Sequence, residues 1–156
     1  VLADPSQAMA DVARAKFKGN ERIKEIRTCG SQDIGEDSVY DIITAIQCHH
    51  YLDREERADA VRKCYNALKE GGTMVIFELT APDTELGLEI IMKRWRSYQI
   101  ANGRTDEQIT EHLARYGVSY FPIKAGEQLE LLRNTGFKNA ELFWRSHLVA
   151  GFYAVK

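Results

Sequence analysis

The sequence is poor in cysteine and proline, with three of each among 156 residues. Cys29, Cys48 and Cys64 cannot all pair and none stands at C-x-x-C spacing, so neither a disulfide framework nor a zinc cluster has support. A reducing setting, the cytoplasm, is the expectation. No apolar run approaches the roughly 20 residues of a membrane helix; stretches such as Met74 to Phe77 and Leu148 to Val155 are short. The expectation is a soluble protein with no membrane partner. Charge of one sign is lacking too: 21 Lys plus Arg stand against 23 Asp plus Glu, a net charge of -2. That balance offers no basic field to nucleic acid, and an anionic partner would need a local patch. No linker rich in Pro, Gly or Ser and no internal repeat interrupts the chain, so residues 1–156 read as one domain.

What is present is a 44% hydrophobic, 28% charged composition that suits one buried core. Val1 to Ala3 is apolar and runs into Asp4-Pro5-Ser6, where proline ends a strand and serine caps a helix. Met9, Val12, Ala13 and Phe17 recur at helical spacing up to Gly19, which predicts a helix over Gln7 to Lys18. Ile23, Ile26 and Cys29 mark a second short strand before a polar turn, Gly30 to Asp37. Tyr40 to Ile46 is a near-continuous β-branched run, the pattern of a strand covered on both faces. Ala58, Val61, Tyr65 and Leu68 make one apolar helix face, which Gly71-Gly72 ends before a strand over Thr73 to Leu79. Residues 82 to 121 turn helical and polar, with a capping box at Thr105 and Gln108, and read as an inserted cap. A helix around Gln128 to Leu132 closes at Gly136, and Phe137 to Trp144 and Leu148 to Val155 predict an antiparallel pair. The fold class is therefore α/β, a mostly parallel sheet with a C-terminal antiparallel hairpin. In such sheets ligands bind beyond the carboxyl ends of the strands, where Asp4, the Gly30 to Asp33 turn, Gln47 to Tyr51 and Glu78 all fall.

Taken in order, several segments resemble the class I methyltransferases that use S-adenosylmethionine, especially the ubiquinone and menaquinone biosynthesis group. Asp4-Pro5-Ser6-Gln7-Ala8-Met9 looks like that family's D-x-S-x-x-M turn after its second strand. Tyr40-Asp41-Ile42-Ile43 looks like its F-D-x-V, and His49-His50 like its H-H. Leu68 to Ile76 looks like its L-K-P-G-G-x-L-x-I, and Leu131 to Phe137 like its L-L-x-x-A-G-F. The resemblance covers nearly the whole chain outside residues 82 to 121, and implies a Rossmann-like sheet, S-adenosylmethionine as cofactor and methyl transfer to a small molecule. Two family features depart. The G-D-A turn near the adenine is replaced by Cys29-Gly30-Ser31, and the first strand with its G-x-G-x-G turn is absent. The expectation is thus a carboxyl-terminal portion of a longer enzyme, with the absent strand belonging between the Val1 segment and the Tyr40 strand.

The resemblance implies site residues. Asp4 is placed to accept hydrogen bonds from ribose hydroxyls, as acidic residues do in dinucleotide folds. Pro5 and Met9 would flank the adenine, with plain core packing the competing role for Met9. Ser31, Gln32 and Asp33 are the candidates for the adenine edge. Ile46 and Gln47 would border the methionine moiety. Adjacent histidines diverge in any regular structure, so His49 is expected to be structural and His50 to reach the substrate. Methyl transfer depends on alignment more than on acid or base, but a hydroxyl or amine acceptor could use His50 or Tyr98 as base, with Tyr120 and His147 as further candidates. Trp95, Tyr98, Tyr116, Tyr120 and Phe121 could line an aromatic acceptor pocket or simply pack the cap. No metal site is expected. Two other readings remain: a non-catalytic remnant of the fold serving as a binding module, and a nucleotide- or NAD-binding enzyme, for which Asp4 would serve equally. An exposed sheet edge would invite a homodimer.

Overall fold

A computed structural model describes residues 1–156. Strand β1 (Leu2–Ala3) leads through the Asp4-Pro5-Ser6 turn into helix α1 (Gln7–Lys16), capped by the Ser6 hydroxyl, which accepts the Met9 N–H. The helix stops short of Lys18 because Phe17 is its C-cap. Strand β2 is only Ile26–Arg27, paired in parallel with β1. The predicted longer strand fails because Ile23 donates its N–H to Asn20 in a turn, and Gly30 opens a 3-10 turn over Ser31–Asp33.

The main sheet begins with β3 (Tyr40–Ile46), at the predicted position. Helix α2 (Arg54–Ala67) follows, capped by Asp53, whose side chain accepts the Glu55 and Glu56 N–H groups while Glu56 reaches back to the Asp53 N–H. Strand β4 spans Leu68–Ala81, longer than expected, because Tyr40 already pairs with Leu68. An irregularity then resets the register so that Ile42 faces Thr73, with Gly71 at φ +75° in between. The cap holds α3 (Glu85–Ala101) and α4 (Asp106–Ala114), the second opened by the predicted Thr105 and Gln108 capping box. The chain returns as β5 (Ile123–Lys124), which pairs with the end of β4, then as α5 (Ala125–Thr135). Strands β6 (Asn139–Ser146) and β7 (Val149–Val155) form the expected antiparallel pair.

The strand order is β3-β4-β7-β6, with β1 and β2 a separate pair. β3 and β4 run parallel, and β7 enters antiparallel beside β4. The core lies on one face, where Val61 and Cys64 of α2 and Leu132 of α5 meet Met74, Ile76, Phe152 and Ala154. One expectation is corrected here. β3 is not covered on both faces: Ile42 is 65% and Ile46 54% exposed, whereas Ala45, on the alternate face, is buried. β3 has β4 as its only strand neighbour, so its second edge is open. Period-two alternation puts Ile43 and Ala45 on the face that meets the core and Ile42 and Ile46 on the opposite, uncovered face.

Candidate active site

The carboxyl ends of β3 and β4 build the site. Strand β3 ends at Ile46, and Gln47 turns the chain sharply with φ +53°. The backbone then curls into a 3-10 turn, His49–Tyr51, directed onto one acidic side chain. Glu78 lies on the buried face of β4, in step with Met74, Ile76 and Thr80. Its Oε1 accepts the N–H groups of Cys48 at 2.9 Å and His49 at 2.8 Å. Its Oε2 accepts the His50 N–H at 3.0 Å and is 2.6 Å from His50 Nδ1. Successive backbone N–H groups converging on one anion form a nest, here filled from within the protein.

That arrangement favours the ionised Glu78 carboxylate and selects the tautomer of the His50 ring. Burial pushes the Glu78 carboxyl up, but the His50 side chain and the His49 N–H outweigh it, and the group sits below the usual carboxylate range. An ionised carboxylate only accepts, so Nδ1 of His50 must carry a proton and donate it. In the neutral ring the lone pair is therefore on Nε2. His49 takes a structural place: it is 1% exposed, its Nε2 is 2.8 Å from Ser31 Oγ, and burial lowers its pKa. Burial and the Glu78 charge push the Cys48 thiol up to about 12, which makes it a poor nucleophile at neutral pH.

Above the turn lies a cavity of about 230 Å³. It is lined by Gln47, His50 and Tyr51 of the turn, by Leu79 and Val149 of the sheet, and by Trp95, His112 and Tyr120 of the cap. The His50 ring stacks obliquely on Tyr51 at 4.3 Å and meets Tyr120 edge-on at 5.5 Å. Two links hold the end of the cap to this turn. The Phe121 N–H donates to the His50 carbonyl at 2.7 Å, and the buried Arg57 guanidinium donates to the carbonyls of His49, Leu52 and Phe121.

The structure brings together some of the predicted residues and not others. His50, Gln47, Tyr120 and His147 reach the cavity, and so does Trp95. Tyr98 does not: it is 57% exposed and absent from the lining, although its ring centre lies 6.0 Å from that of His147. Ile46 points to the open side of β3. Asp4 stands at the end of β1, half-buried, with Oδ1 accepting the Ser6 N–H at 2.8 Å and its other oxygen without a protein partner. Met9 is 54% exposed, which removes the core-packing role. In the 3-10 turn, Asp33 caps the Gly30 N–H, the Gln32 carbonyl accepts Lys63 Nζ, and Ser31 is joined to His49. Sequence reasoning missed the roles of Glu78, Arg57 and His112. The signal for Glu78 was present, a lone carboxylate on the inward period of an apolar strand.

An open sheet with the antiparallel strand β7 inserted between β4 and β6, and a site at the carboxyl ends of β3 and β4, defines the class I methyltransferase fold. Residues 1–74 match the family described as a methyltransferase domain. It is 27% identical over 161 aligned positions to the carboxy-S-adenosyl-L-methionine synthase of Methylococcus capsulatus, covering 100% of this chain and 65% of that protein. Among solved structures it is similar to an S-adenosylmethionine-dependent methyltransferase, possibly a histamine N-methyltransferase, of Thermotoga maritima. The TM-score is 0.64 at 15% identity, over 99% of this chain and 72% of that one. A second, an O-methyltransferase family protein of Burkholderia thailandensis, gives a TM-score of 0.66 at 14% identity, over 96% of this chain and 41% of that one. The chain spans about half to two-thirds of the length of the curated relatives it matches.

Proposed function

We propose that the protein is an S-adenosylmethionine-dependent methyltransferase acting on a small-molecule acceptor. The observation that carries this reading is the Glu78 and His50 pair at the wall of an aromatic-lined cavity beyond the strand ends. The residues present fit the cofactor. Asp4 keeps one carboxylate oxygen free at the end of β1, and Pro5 and Met9 offer exposed apolar surface beside it. Ser31, Gln32 and Asp33 would meet the adenine edge, and Ile46 and Gln47 the methionine moiety. When bound, S-adenosylmethionine supplies an electrophilic methyl on a sulfonium.

The chain's own residues hold the acceptor and manage its proton. Trp95, Tyr51 and Tyr120 enclose an acceptor and exclude water, which favours a reaction that disperses charge. Glu78 fixes the His50 ring, so that Nε2 is free to take the proton an acceptor hydroxyl or amine loses as its oxygen or nitrogen gains the methyl. Tyr98, outside the cavity, has no part. The curated relatives carry the name of a synthase whose product is a carboxylated S-adenosylmethionine. For this chain the aromatic acceptor cavity favours methyl transfer.

Calorimetry on the protein with S-adenosylhomocysteine tests the cofactor. Binding that weakens at least tenfold in Asp4→Ala is the expected result, and no binding to the unaltered protein would overturn the enzyme reading. His50→Gln is expected to slow methyl transfer about a hundredfold while leaving that binding unchanged, in line with the loss of a general base.

A further inference from the structure

Two arginines line a cleft that shares His112 with the cavity, and they take no part in what has been described. Arg104 follows Gly103 at the end of α3, and Arg115 is the C-cap of α4. Neither has a carboxylate within ion-pair distance, although nine other such pairs occur in the protein. Both nevertheless hold defined positions. Arg104 donates Nη1 to the Gln99 side chain at 2.8 Å, and the Arg115 guanidinium lies 4.4 Å from the centre of the Tyr120 ring. The Arg115 carbonyl accepts the Val118, Ser119 and Tyr120 N–H groups, which fixes the loop between α4 and β5 around it.

The two guanidinium groups line one cleft of about 460 Å³, together with Gln108, Glu111 and His112 and with no apolar side chain. His112 lines both this cleft and the aromatic cavity, so the two spaces adjoin at this residue. Gln99, 5% exposed beside Arg104, leaves its Nε2 without a partner. Burial and the charges of Arg104 and Arg115 lower the His112 pKa, so His112 adds no charge at neutral pH. With Glu111 included, the cleft's formal charge is two positive less one negative, a net of one positive.

We propose that the cleft binds the carboxylate of a monoanionic acceptor whose apolar, ring-sized body occupies the adjoining cavity. This deepens the methyltransferase reading and rests on it for the role of the cavity. Guanidinium groups suit a planar carboxylate, which they bind through paired N–H donors. A single net positive charge suits a monoanion better than a dianion. The aromatic walls accept the ring, and the polar cleft takes what the cavity would exclude. The overall charge of -2 gave no sign of this, because two arginines in one cleft do not alter a whole-chain sum.

Ligand-observed NMR on the protein, with benzoate, benzamide and phenyl phosphate as probes, tests the assignment. Benzoate is expected to bind at least fivefold more tightly than benzamide. Arg104→Gln and Arg115→Gln should each reduce that ratio below twofold, and Glu111→Gln should raise it. All three side chains are exposed, so the variants should fold, and circular dichroism checks this. Equal binding of benzoate and benzamide would overturn the proposal, as would a ratio unchanged by either arginine substitution. Phenyl phosphate binding more tightly than benzoate would overturn the carboxylate assignment in favour of a phosphate. S-adenosylhomocysteine titrated into the same samples separates the two readings. Its failure to bind would remove the methyltransferase reading without altering the measured anion preference, and a lost anion preference with intact binding would remove only the cleft.

Discussion

Glu78 shows how much a single buried residue can organise. Its four acceptor contacts hold the turn after β3, orient His50 and select the ring tautomer. Removing a buried charge that satisfies several donors leaves them orphaned, so Glu78→Gln is expected to cost about 3 kcal/mol, measured by urea unfolding. The same group shapes the response to acid. The folded carboxyl lies below its ordinary 4.5, so its stabilisation is complete above that pH and is lost as pH falls through the folded value. His49 adds an earlier component of the same sign: buried and neutral, it favours the fold above its ordinary 6.5 and opposes it as pH falls and the unfolded ring takes a proton. Urea midpoints measured from pH 7.5 down to 3.5 should therefore decline in two stages. His49→Gln should flatten the first stage only, and Glu78→Gln the second.

At the scale of elements, the local rules mostly held where hydrogen bonds and chirality dominate. The Asp53 and Thr105 caps, and Gly136 in the left-handed conformation at the end of α5, are consequences of short-range chemistry. Strand limits were less legible, because pairing partners decide them. β4 begins at Leu68 only because Tyr40 lies opposite, and β5 exists only because Thr80 lies opposite Ile123. Close packing across strands adds its own constraint. A Cβ on Gly151 would stand 2.8 Å from the Phe77 ring and 3.0 Å from that of Phe143, two rings that meet edge-on at 5.4 Å. Gly151→Ala is expected to destabilise the sheet by about 1–3 kcal/mol through overpacking, seen as a lowered melting temperature. Gly19→Ala, with nothing within 4 Å of its Cβ, pays only for its left-handed φ of +80° and should cost less.

The whole molecule divides into a strongly paired sheet and a more lightly held amino-terminal unit. β4 is bonded on both sides, by β3 and β7, while β1 and β2 bond only each other. The unit of β1, α1 and β2 is tied to the rest by an ion pair from Arg27 to Glu36, which also accepts the Tyr40 hydroxyl at 2.9 Å, and by the link from Ser31 to His49. The Arg27 hydrogen bond holds the Glu36 carboxyl down to about 2, so this tie persists well into acid. Hydrogen exchange should show amides of β4 and β7 protected at close to the global unfolding free energy, and those of residues 1–30 exchanging sooner. Uniform protection along the chain would contradict that division.

The sequence by itself determined the order of the longer strands and helices, the caps, the class of the fold and the placement of Asp4, Gln47 and His50 at strand ends. Those properties follow from side-chain periodicity and from hydrogen bonds between near neighbours. Only the tertiary structure decided that Ile42 and Ile46 face outward, that Tyr98 misses the cavity, and that Glu78 governs His50 from 28 residues away. Each of these depends on which elements stand side by side, and a local pattern carries no record of its distant neighbours. The meeting of Arg104 and Arg115 in one cleft is of the same kind, set by how α3 and α4 pack against each other.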